Sequence, residues 1–139
     1  MKAIILGVSL TLMSLSTEPV FGQSVASRHR GANHKTVQYG MASWYGAKNQ
    51  GHRTADGERF NEHALTAAHR TLPFGARVRV TNLRNGRSVV VRINDRGPAI
   101  RHRLIDLSKA SAERLGFTHR GLVPVRIALL SAPARSPAS

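Results

Sequence analysis

The sequence predicts a mainly β domain closed into a small barrel. Three observations carry this: several apolar runs of strand length, one stretch of strict period-two alternation, and glycine-containing turns between them. Met41 to Tyr45 is a short apolar-rich run stopped by Gly46. Arg77-Val-Arg-Val-Thr-Asn82 alternates polar and apolar residues, the pattern of a half-buried strand. Ser88 to Asn94 is rich in β-branched side chains, which suit a pleated surface. Arg84-Asn85-Gly86-Arg87 lies between these two, and Asn-Gly tolerates positive φ at both central positions of a tight hairpin turn. Leu104 to Leu107 and Val123 to Leu130 are further strands. One helix is expected over Lys109 to Leu115, with Ser108 as N-cap and Gly116 closing it.

The flanks read differently. Met1-Lys2 followed by the apolar run Ala3 to Leu15 has the form of a secretory signal. The run is shorter than the roughly 20 residues needed to span a bilayer. Cleavage after Ala26 fits the preference for small residues, as does cleavage after Gly22. A buried N-terminal helix is disfavoured because Thr17 to Ala26 has no amphipathic continuation. The expected layout is a signal at 1–26, a flexible basic leader at 27–38, a barrel at 39–130 and a proline-containing disordered tail at 131–139. The product is then exported, to periplasm or cell wall, with no stable membrane insertion after signal removal. There is no cysteine, so neither a disulfide nor a lipid anchor through Cys is expected.

The 139 residues suit one folded domain. With one Trp, two Tyr and four Phe, its core must be mostly aliphatic. Twenty-one Lys and Arg against seven Asp and Glu give a net charge of +14, which favours acidic partners such as nucleic acid, anionic lipid or acidic polysaccharide. Export turns that preference towards envelope polymers and away from nucleic acid. The shortage of aromatic stacking platforms argues the same way. No feature specifies an oligomeric state.

Candidate chemistry rests on a few side chains. Asp95 follows a strand in Asn94-Asp-Arg-Gly-Pro98; it is either a reactive group at a strand end or a turn cap. Glu58 lies in the turn-rich Thr54-Ala-Asp-Gly-Glu58 and is by itself a solvated turn residue. His69 follows Leu65-Thr-Ala-Ala68 and is either functional or a packed core histidine. Asp106, among apolar neighbours, is expected to pair with one of the many arginines. Trp44 and Tyr45 offer a stacking surface for a sugar ring, although a core role suits Trp44 equally. His52, His63, His102 and His119 lack metal-ligand spacing, and there is no phosphate loop or nucleophile elbow. Neither metal nor cofactor is expected.

Six segments occur in order: Gly40-Met-Ala-Ser-Trp-Tyr-Gly46, Thr54 to Glu58, Leu65-Thr-Ala-Ala-His-Arg-Thr-Leu-Pro-Phe-Gly75, Val80-Thr-Asn-Leu83, Asn94 to Pro98 and Ile105-Asp-Leu-Ser108. Together they closely resemble the rare lipoprotein A family, lytic transglycosylases with a six-stranded double-psi β-barrel. The resemblance spans Gly40 to about Leu130. It implies a site of Asp95, His69 and Glu58, with Asp95 the best candidate acid and peptidoglycan glycan strands as substrate. Trp44, Tyr45 and Arg96 are the expected substrate-binding residues. The lipobox Cys and a C-terminal peptidoglycan-binding repeat are not found, Asp56 stands where Asn is usual, and Ala76 where Thr is usual.

A lytic transglycosylase needs one acid, because the sugar's own C6 hydroxyl replaces water as nucleophile. Arg96, next to Asp95, opposes that role, since a nearby cation favours the carboxylate. Adjacent side chains in an extended segment face opposite ways, which would turn Arg96 aside. The competing function is a non-catalytic, expansin-like wall binder or loosener; inhibitor and adhesion roles have no support in the sequence.

Overall fold

The computed structural model describes residues 36–133. The expected signal (1–26), most of the leader and most of the tail lie outside the described residues. Six strands form, β1 (Val37–Tyr45), β2 (Thr66–His69), β3 (Arg77–Asn82), β4 (Ser88–Asp95), β5 (Arg103–Ser108) and β6 (Val123–Ser131), with one helix, α1 (Lys109–Leu115). A single 3-10 turn spans Ala47–Asn49. The strands close into a barrel in the order β1-β5-β2-β4-β3-β6, the all-β, double-psi architecture expected. β1 runs parallel to β5 and β2 parallel to β4, while the remaining pairs are antiparallel. Among the described residues, no helix is long and apolar enough to cross a membrane.

Alternation explains the elements that the sequence announces. In β3, Val78 and Val80 turn inward while Arg77 and Arg79 stay exposed. Val91 and Ile93 of β4, Ile105 and Leu107 of β5, and Val125 and Ile127 of β6 meet them in an aliphatic core. Each such side chain contributes about 1.5–3 kcal/mol by leaving water. α1 closes one side of this core with Leu115, and Phe117 follows it inward. Ser108 Oγ accepts the Ser111 N–H at 3.3 Å, and Gly116 ends the helix at φ 72°.

Three details differ from the sequence reading. β1 begins at Val37, so Val37 and Gln38, assigned to the leader, are strand residues opposite Ala128 and Ile127. The β3–β4 connection is a longer loop, closed by Asn82 N–H to Arg87 O and Gly86 N–H to Asn82 O, both 2.8 Å. Only Gly86 (φ 74°) has positive φ there, so this is not the two-residue turn that Asn85-Gly86 suggested. β2 was not anticipated. All four of its residues are buried, so no alternation is visible, and Ala and His carry little β preference.

Candidate active site

An open groove of about 270 Å³ is lined by Tyr45, Asp95, Arg96 and Asp106, with Ala68 in its floor and His52 and Arg53 at its edge. Strand register builds it. Ala68 of β2 lies opposite Asp95 of β4 on one side and opposite Asp106 of β5 on the other. Asp106 in turn faces Ser43 of β1. The two aspartates therefore sit two strand spacings apart, about 9.5 Å between backbones, separated only by a methyl group. A register shift between Ala67 and Ala68 contributes: Ala67 pairs with Ile93 but Ala68 with Asp95. Asn94 is the extra residue, and this bulge re-aims Asp95.

Asp95 Oδ1 accepts two backbone N–H groups, from Ala55 at 2.9 Å and from Arg96 at 2.8 Å. The carboxylate thus caps its turn and lines the groove at once. Asp106 was expected to pair with arginine, and it does not. Pairing of β5 with β1 puts Ser43 beside it, and the Ser43 hydroxyl donates to Asp106 Oδ1 at 2.5 Å. Burial pushes the Asp106 carboxyl up, and the Asp95 charge adds to this; the Ser43 hydrogen bond and Arg103 oppose it.

Tyr45 lines the groove, but its ring packs against Phe60, centroids 4.6 Å apart. Its hydroxyl is buried without a hydrogen-bond partner. Burial, then the charges of Asp95 and Asp106, raise its pKa. Trp44 faces elsewhere, packing against the core and bordering a shallow depression with Lys48.

The other three expected residues sit around the groove in different ways. Glu58 is not in its lining. It makes a bidentate ion pair with Arg92, through Nη1 and, at 2.8 Å, Nη2. That bond, with help from Asp56, lowers its pKa to about 2. Asp56 caps the same turn by accepting from Thr54 Oγ1 (2.5 Å) and Glu58 N–H (3.0 Å). Arg92 therefore fixes the loop whose Ala55 N–H holds Asp95. His69 is 3% exposed. Its Nδ1 accepts the N–H groups of Thr71 and Leu72, both at 3.1 Å, so the proton resides on Nε2, which has no partner. Burial first, then Arg70 and Arg96, lower its pKa, leaving the ring neutral. Arg96 donates to Leu72 O (2.8 Å) and His69 O (3.2 Å) and stacks over Phe74 at 3.8 Å. Among the described residues, no three metal-ligating side chains gather.

The residue that sequence reasoning misassigned is Asp106. The only signal for its place in the groove was its presence in the Ile105 to Ser108 segment of the resemblance.

Comparison with known proteins agrees with this architecture. The family described as lytic transglycolase matches residues 37–127. A probable endolytic peptidoglycan transglycosylase RlpA of a Synechocystis species is 64% identical over 88 residues, covering 63% of this chain and 27% of that protein. The endolytic peptidoglycan transglycosylase RlpA of Neisseria meningitidis serogroup A is 54% identical over 91 residues, 66% of this chain and 38% of that one. The match thus spans well under half the length of these curated relatives. Among solved structures, a Streptomyces papain inhibitor shares the fold (TM-score 0.57, 24% identity, 69% of this chain and 96% of that one). So does a Clavibacter michiganensis expansin (TM-score 0.55, 21% identity, 75% and 53%). Six ordered motifs, a closed six-stranded barrel and these matches place the chain in the rare lipoprotein A-like lytic transglycolase family.

Proposed function

We propose that the groove binds a peptidoglycan glycan strand and that Asp95 and Asp106 cleave it to a 1,6-anhydro-muramic acid end. The observation that carries this is the pair of aspartates flanking Ala68 in one open groove, one of them with its pKa raised by burial. Asp106 is the acid. Its Oδ1 accepts from Ser43, so Oδ2 holds the proton and gives it to the glycosidic oxygen as the C1–O bond breaks. The C6 hydroxyl of the same sugar closes on C1, and Asp95 takes its proton. No water is consumed, and the site resets when Asp95 releases its proton to solvent and Asp106 takes one up. This reverses the ranking drawn from sequence, where Asp95 was the acid.

The remaining residues prepare the groove. Tyr45 presents a buried hydroxyl that a sugar oxygen satisfies on binding. Glu58 and His69 are positioning residues: Glu58 secures the 54–58 loop, and His69 holds the 71–72 turn and, through its carbonyl, Arg96. Arg96 orders the Asp95 segment while its charge is taken up by carbonyls and the Phe74 ring. Peptidoglycan lies outside the cytoplasmic membrane, and the signal-like 1–26 segment agrees with export to periplasm or cell wall.

The test is mass spectrometry of purified glycan strands after incubation with the protein. Anhydro ends should appear, and Asp95→Asn and Asp106→Asn should each abolish them while strand binding persists. Strands bound yet never cleaved, where a known transglycosylase cleaves them, would move the assignment to a non-catalytic binder.

A further inference from the structure

The outer wall made by β3, β6 and β1 carries a cationic face that the groove chemistry does not use. These strands contain no Asp or Glu. Their outward positions include Arg77, Arg79 and Arg126, with Tyr39 67% exposed beside them. Arg126 lies in one cross-strand row between Thr81 and Tyr39. Arg79 lies in the next row, beside Ala128, with Val37 beyond. Arg79 and Arg126 are therefore diagonal neighbours, about 7–8 Å apart. Arg77 follows two positions along β3, about 7 Å further. Among the described residues, none of the three has a salt-bridge partner.

One end of this face is linked to the loop that holds Asp95. Arg77 pairs across the sheet with Arg92, the residue that grips Glu58 in the 54–58 loop. Like charges spaced this closely repel one another, and a polyanion laid across them turns that repulsion into attraction. Each arginine presents a planar fork of donors suited to a carboxylate. Tyr39 offers an exposed ring, flat enough to lie against a sugar. The exposed apolar side chains on these strands are isolated ones near the ends of β1 and β6, Val37 at 37% and Leu130 at 47%, and do not form the continuous apolar face that a lipid surface takes up.

We propose that this wall is a second binding surface for a polyanionic glycan, a strand with one carboxylate per disaccharide, as muramic acid has once its peptide is removed. Arg79, Arg126 and Arg77 engage carboxylates, and Tyr39 stacks on a ring. The polymer's identity rests on the function proposed above; the binding does not depend on cleavage.

The test measures binding of the full chain to purified peptide-free glycan strands, to the same strands with their carboxylates reduced to alcohols, and to phosphatidylglycerol vesicles. The double variant Arg79→Gln/Arg126→Gln should lose about tenfold in affinity for the native strands, two exposed ion pairs' worth. The charge-matched control Arg114→Gln/Arg120→Gln should bind nearly as wild type. Tyr39→Ala should weaken binding to native and reduced strands alike. Cleavage of a short oligosaccharide that fills only the groove should be unchanged in the wall variants. Equal losses in the wall and control variants, or undiminished wild-type binding to reduced strands, would overturn the proposal. So would a wall-dependent affinity seen only with vesicles. A protein that binds through the wall but never cleaves would sink the catalytic reading and leave this one standing.

Discussion

Replacing Asp106 with Asn should make the barrel more stable and abolish the proposed release of anhydro ends. Asp106 is half-buried, and burial raises its pKa above that of a free carboxyl. In the pH window between its unfolded and folded pKa values, the native state holds a proton that the unfolded chain has released. Stability therefore falls as pH rises through that window. Removing the ionisable group removes that loss, so the variant should melt at a higher temperature than wild type at neutral pH. Asn keeps the size and the oxygen that accepts from Ser43, and it carries no charge to desolvate. In a domain of this size each 1 kcal/mol regained appears as about 4–8 °C in Tm. The gain should shrink as pH falls below about 4, where the carboxyl becomes protonated in both states. Thermal melts of both proteins at pH 7 and pH 3.5, paired with the anhydro-end assay, check this. A fall in Tm at neutral pH would show that the carboxylate holds β5 to β1, and full activity would remove Asp106 as the acid.

Three other substitutions separate framework from chemistry. Asn82→Ala should lower stability by about 2–3 kcal/mol in denaturant melts, because buried Asn82 donates to Leu115 O and accepts from Arg84 N–H, both at 2.9 Å; activity below the melting range should be normal. Glu58→Gln should raise KM more than it lowers kcat, since it loosens the loop that holds Asp95, and it should cost less than about 1 kcal/mol because the ion pair is part-exposed. The Glu58 contribution is present above the unfolded carboxylate pKa and is lost as pH falls towards 2. Buried neutral His69 should make stability decline as pH falls below about 6.5, because the unfolded chain takes up a proton that the folded one refuses. His69→Phe should flatten that arm of the pH–stability curve.

The elements legible in the sequence are those with one wet face. Val78 and Val80 alternate with Arg77 and Arg79, so β3 announces itself, and Ser108 and Gly116 bracket α1. β2 does not, because it is held between β4 and β5 with all four residues buried, and burial on both faces erases period two. The site was partly legible for the same reason. Asp95 stands at a visible strand end. Whether Asp106 meets an arginine or a serine depends on Ser43, 63 residues earlier, and whether Glu58 is free depends on Arg92, 34 residues later. Such pairings belong to barrel closure, which local pattern does not encode.

The pairing of Val37 with Ala128 brings the ends of the barrel together. The polypeptide enters and leaves through neighbouring strands, about 5 Å apart. Tyr45, at the groove, is the other end of the nine-residue β1, about 26 Å along the strand. The domain therefore works as a cassette. A host chain can be interrupted by it without having its own parts pushed apart, and at its entering strand the attachment lies a full strand length from the groove. Added segments joined at the entering strand therefore start at the far end of β1 from Tyr45.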